Sequence, residues 1–192
     1  MSAPYQMKNL PFHSIDTTDG KAKELLEEAK RRLGFLPNGY GAMINVPALF
    51  ESYVKTYMLM RSECDFTSVE QEVVFLAISR ENDCDYCVAA HSFIADEMSG
   101  VPTDVTDAIR DGRQIPNPKL EALAEFSRTM VRSRGRPSDA EVNAFLAAGY
   151  EEKNILGIIL AIGCKSLSNY SNRLFDTPLD DTFASRKWSR AD

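Results

Sequence analysis

Apolar positions along this chain recur at helical spacing, and no run alternates in the manner of a strand. Between Thr18 and Leu33, a charged segment carries Leu25, Leu26, Ala29 and Leu33 on one face, and Gly34 ends it. Gly34-Phe35-Leu36-Pro37-Asn38-Gly39 predicts a loop, followed by an apolar segment to Val46. Pro47 is placed to open a helix through about Arg61, striped by Leu49, Tyr53 and Tyr57. Thr67 and Glu70 form a capping-box pair ahead of a helix to about Arg80. Asn82-Asp83 breaks that helix, and another runs from about Cys84 to Met98, closed by Gly100. Further helices are expected over Thr103–Arg110, Pro118–Ser133 and, capped by Ser138, to Ala148; the last runs from Glu151 to about Leu174. Ile155–Ile162 within it is apolar all round, which predicts burial in the core or in an oligomer interface. The polar tail after Phe175 is expected on the surface or on a neighbour. Without a linker or an internal repeat, residues 1–192 read as one all-α domain.

Composition narrows the function classes. The chain is 44% hydrophobic and 26% charged, enough apolar material to bury a core without disulfide or metal staples. Lys plus Arg number 22 against 28 Asp plus Glu, a net charge of −6 that suits no phosphate backbone, so nucleic acid is excluded as a partner. The Ile155–Ile162 run falls far short of the roughly 20 apolar residues of a membrane span. The N-terminal MSAPYQMKNLPF has no signal-like apolar core, so a cytoplasmic protein away from membranes is expected. Four cysteines do not make a secreted scaffold; in the cytosol a close pair of them points to chemistry or metal.

That pair is Cys84 and Cys87, in a C-x-x-C-x-x-x-H pattern completed by His91. At about 100° per residue, Cys87 lies some 60° and His91 some 20° from Cys84 around a helix, so all three share one face. Cys84 sits where the helix begins, and the free amides and positive dipole end there favour its thiolate. The two sulfurs are close enough to form and break a disulfide, and His91 can take or relay a proton. Glu72 is placed by arithmetic. Its helix climbs roughly 13 Å to the break and His91 lies roughly 10 Å back down, so the two are nearly level on adjacent antiparallel helices. Glu72 shares a stripe with Phe75 and Leu76, which predicts partial burial and either a raised pKa or a charged partner. Glu70 is accounted for by its cap.

Glu72, Cys84, Cys87 and His91 together resemble the pattern of the AhpD-like proteins of the carboxymuconolactone decarboxylase superfamily, and of its peroxidase-related branch in particular. Asn82, Tyr86, Gly34-Phe35-Leu36-Pro37-Asn38, Pro47-Ala48-Leu49 and the late Asn169 and Asn172-Arg173-Leu174 add to the likeness, which spans about residues 33–175. At one position the chain departs: well-known members carry a His between the cysteines where this chain has Tyr86. The resemblance implies an all-helical fold, a trimer or hexamer, and reduction of a small hydroperoxide without a bound cofactor. It makes Cys87 the peroxidatic thiolate, Cys84 the resolving thiol, and Glu72 and His91 the proton relay. An external thiol or dithiol reductant would reopen the disulfide.

Other readings stand beside this one. Zinc would want four ligands, and only Cys84, Cys87 and His91 cluster in sequence. Cys64 and Cys164 read as packing thiols and His13 as a surface residue. On the same fold a lactone-processing or decarboxylating enzyme is an alternative that needs no cysteine pair, and a non-enzymatic redox switch is another.

Overall fold

A helix whose residues are buried on every side has to be central, and one segment of this chain qualifies. Residues 5–190 are described by a computed structural model, and among them nine α-helices and two 3₁₀ segments make up the regular structure. The central helix is α4, Ser68–Glu81, in which all ten residues from Glu70 to Ser79 are buried. Its start is the expected capping box: Thr67 accepts from the Glu70 amide, and the Glu70 carboxylate accepts from the Thr67 amide at 2.9 Å. Such a pair satisfies two orphan amides and is worth about 1 kcal/mol.

Around α4 pack α5 (Asp85–Glu97), α6 (Thr103–Asp111), α7 (Pro118–Arg132) and the long α9 (Glu152–Phe175). Outside these lie α1 (Gly20–Leu33), α3 (Pro47–Ser62) and the Ser138-capped α8 (Asp139–Ala147). All were legible in the apolar spacing to within two residues. A short helix α2, Asn38–Met43, replaces the expected loop and apolar segment. It forms because Pro37 fixes its entry, and Gly39 and Gly41 allow its backbone to lie against other elements. A Cβ on Gly41 would stand 2.5 Å from the His13 carbonyl, and His13, half-buried rather than on the surface, bonds the Gly41 carbonyl at 3.0 Å.

Gly157, Ile158 and Ala161 of α9 are in the core, while Leu156 and Ile159 are 68% and 48% exposed, so the core of one chain takes up only part of the apolar run. The tail after Phe175 runs over the surface, as expected, and is anchored there. Its 3₁₀ segment, Asp181–Arg186, packs on α5, with Phe183 buried between Phe35, Tyr86 and Phe93. Arg186 locks it down through Asp96 at 3.0 Å and Asp107 at 2.6 Å. No helix among the described residues is long and apolar enough to cross a membrane.

Candidate functional site

The turn between α4 and α5 sets the position of both cysteines. Asn82 ends α4 and Asp83 takes a left-handed φ of 57°, a conformation in which Asp is among the few tolerated residues. Three contacts from elsewhere hold this turn. Asn169 of α9 accepts from the Asn82 amide at 2.9 Å, while Arg173 and Arg190 pair with the Asp83 carboxylate at 3.2 and 3.1 Å. The chain then reverses with Cys84 as the N-cap of α5, and Cys87 and His91 follow on the inward face. All four cysteines are free thiols.

Reversal brings His91 level with Glu72, as the arithmetic predicts. Glu72 is 0% exposed, and its Oε2 lies 2.8 Å from His91 Nδ1. Its other oxygen pairs with Arg61, whose guanidinium also donates to the Tyr57 hydroxyl at 2.7 Å and to Gln71 Oε1 at 3.1 Å. Burial opposes charge on Glu72, but His91 and Arg61 outweigh it and hold the carboxyl below its ordinary range. An ionised carboxylate only accepts, so Nδ1 of His91 carries the proton and Nε2 is left with its lone pair. Burial, then the charge of Lys165, hold His91 below its ordinary value despite Glu72, which keeps the imidazole neutral. The expected partial burial of Glu72 is complete, and of the two alternatives it is the partner that holds.

The two cysteines differ sharply. Burial alone would push the Cys87 thiol up. The S–H of Cys84, the charge of Lys165 and the Asn172 amide at 3.3 Å from Cys87 Sγ together hold it well below the usual thiol range. Cys84 goes the other way, because its proton is engaged by the Cys87 sulfur and burial adds to the effect. The helix start offers Cys84 its free amides, while the charge of Lys165 and the Asn172 hydrogen bond gather at Cys87.

Each sulfur faces its own cavity. Cys87, His91, Lys165 and Asn172 share a cavity of about 250 Å³ whose other walls include Phe35, Tyr40, Tyr53, Tyr57, Phe93 and Phe183. Cys84 borders a larger, more polar cleft of about 530 Å³ with Asp83, Asp85, Arg173 and Asp176. Between the two stands Tyr86. Its hydroxyl donates to Asp180 at 2.6 Å and accepts from the Gly39 amide at 3.3 Å, and burial together with Asp180 keeps it protonated. Tyr86 thus ties α2, α5 and the C-terminal segment together. Gly39 is required here by space: a Cβ would meet Asn172 Oδ1 at 2.7 Å, the same side chain that bonds Cys87.

No protein-family model and no curated protein matches this chain. Solved structures do. An uncharacterized peroxidase-related protein from Ralstonia eutropha JMP134, described as an alkylhydroperoxidase AhpD core, superposes with a TM-score of 0.78 at 22% identity, over 95% of this chain and 96% of its own. The fold is AhpD-like. A second uncharacterized peroxidase-related protein, from Silicibacter sp. TM1040, matches at TM-score 0.78 and 18% identity over 97% and 98% of the two chains. The debrominase Bmp8, as a Cys→Ala variant in complex with 2,3,4-tribromopyrrole, matches at 0.73 and 17% identity over 95% and 97%.

Within this AhpD-like fold, Glu72, Cys84, Cys87 and His91 converge as their spacing foretells. Lys165, Arg61, Tyr57 and Asp180 were not singled out in the sequence, and Asn172 was noted without a role. Lys165 carried a usable signal: it directly follows the apolar run of α9 and stands seven residues before Asn172, two turns apart on one face. Asp180 carried none, since its place depends on how the tail folds back. Cys164 is fully buried and pushed up to about 12 by burial, consistent with a packing thiol, while Cys64 is half-buried. Among the described residues no three His, Cys, Asp or Glu side chains converge as a metal site.

Proposed function

We propose that this chain reduces organic hydroperoxides with Cys84 and Cys87 as a dithiol–disulfide pair. The observation that carries the reading is the gathering of Cys87, His91, Lys165 and Asn172 in one aromatic-walled cavity, the Cys87 sulfur 3.3 Å from the Asn172 amide and Cys84 three residues away on the same helix. The thiolate attacks the outer peroxide oxygen; an S–O bond forms, the O–O bond breaks, and the leaving alkoxide takes a proton. Cys84 then attacks the Cys87 sulfenic acid, giving a disulfide and water. An external dithiol supplies the two electrons that reopen it. Nε2 of His91, which keeps its lone pair, is the group placed to pass a proton from solvent to the alkoxide. Glu72, already committed to His91 and Arg61, orients the imidazole rather than taking the proton itself.

In a peroxide-consumption assay with a dithiol reductant, wild type turns over and Cys87→Ser consumes nothing; without reductant, Cys84→Ser consumes one equivalent per chain and stops at the sulfenic acid. Unimpaired turnover by Cys87→Ser would overturn the reading. Disulfide formation without any turnover would favour the redox switch instead.

The aromatic cavity favours one second reading, since the same fold serves the debrominase. In that case the Cys87 thiolate takes bromine from a brominated aromatic ring, which gains a proton, and Cys84 displaces bromide to form the disulfide. Bromide release from 2,3,4-tribromopyrrole in the presence of dithiol separates the two reactions. The exposed Leu156 and Ile159 of α9 support a homo-oligomer of three or six copies. A monomer by sedimentation at micromolar concentration would refute it.

A further inference from the structure

A buried ammonium needs a counter-ion, because leaving a charge unpaired in the interior costs several kcal/mol. Lys165 is 1% exposed, lines the cavity that holds Cys87, and makes no ion pair or hydrogen bond through its side chain among the described residues. Its one recorded neighbour is an aromatic face, the Phe75 ring at 5.6 Å. That is a weak partner for a fully desolvated charge.

The acids around it can be taken in turn. Glu72 of α4 is committed to Arg61 and His91. Tyr57 of α3 is pushed up to about 12, and Tyr53 and Tyr40 stand higher still, all chiefly by burial. Cys164, next in sequence, is also pushed up to about 12 by burial. Arg61 and His91 bring positive or neutral groups. Tyr86 is kept protonated by burial and Asp180, and Arg32 adds only a further cation. Cys87 is the remaining acid in the cavity, and Asn172, two turns along the same face of α9, already bonds its sulfur at 3.3 Å.

We propose that Lys165 is a positioning residue for Cys87: its ammonium is the buried counter-ion of the Cys87 thiolate, and Asn172 on the same face of α9 holds the sulfur in register with it. This deepens the peroxidase reading, since it explains how a sulfur buried in apolar surroundings stays ionised. Lys165 acts through Cys87. It supplies charge without moving a proton in the reaction.

The test is the pH profile of Cys87 alkylation by iodoacetamide, followed by mass spectrometry, and it uses no peroxide. Lys165→Met should raise the pH at which Cys87 titrates by about one to two units, slowing alkylation at neutral pH roughly 10- to 100-fold. The difference should vanish once the pH exceeds the ordinary thiol range. Lys165→Arg, which keeps the charge, should titrate nearer wild type than Lys165→Met does. Lys165→Gln serves in place of Lys165→Met if that variant does not fold. A neutral substitution that leaves the titration where it was would overturn the proposal. A shifted profile in a protein that consumes no peroxide would refute the functional reading and keep Lys165 in this role.

Discussion

Cys84 and Cys87 sit three residues apart on one helix, both buried, yet the protein drives their thiols in opposite directions. Burial raises both, so desolvation cannot be what separates them. The difference lies in what each sulfur faces. Cys84 lines the polar cleft with Asp83 and Asp85, and its S–H donates a hydrogen bond to the neighbouring sulfur. Cys87 faces the aromatic cavity, where Lys165, His91 and Asn172 converge from two helices. Position on a helix dipole, a few tenths of a kcal/mol to about 1, is overridden by specific charges and hydrogen bonds. The division places the two cysteines at the walls of two different cavities.

The largest way to break this asymmetry, short of removing a sulfur, is His91→Gln. It takes away the group that passes the proton on the Cys87 side and leaves the Cys84 cleft intact. Steady-state kcat/KM for peroxide should fall by roughly 10²- to 10⁴-fold, the usual worth of a general acid–base group. Alkylation of Cys84 should stay as in wild type. A loss smaller than about threefold would remove His91 from the proton path.

The same residues leave a smaller mark on stability. His91 and Glu72 both have folded values below their ordinary 6.5 and 4.5, so the unfolded chain binds more protons across those intervals. Stability is therefore full above about 6.5, falls as pH drops through the window below it, and falls further through the carboxylate range. Urea midpoints measured between about pH 7 and pH 5 should decline for wild type, and more shallowly for His91→Gln. A midpoint independent of pH over that range would contradict the assignment of His91 as buried and neutral.

What could be read in the sequence follows from the range over which each interaction acts. Helix periodicity, the Thr67–Glu70 cap and the Asn82-Asp83 break are local, so the pairing of Glu72 with His91 could be derived by counting residues along two antiparallel helices. Lys165 and Asn172 reach Cys87 across about eighty residues, and nothing near the cysteines announces them. Asp180 is further still from Tyr86 in sequence, and the tail that carries it is polar enough to read as surface. The helix start beside Cys84 is local and legible, whereas Lys165 and Asn172, which act on Cys87, come from α9.

Competitive alkylation of the reduced protein reads the ordering of the two sulfurs. Limiting iodoacetamide is added at a series of pH values, and the label on the peptide containing both cysteines is located by fragmentation. Label is expected on Cys87 at neutral pH and below, with Cys84 modified only well above the ordinary thiol value of about 8.5. Label appearing first on Cys84, or on both together near that ordinary value, would contradict that ordering.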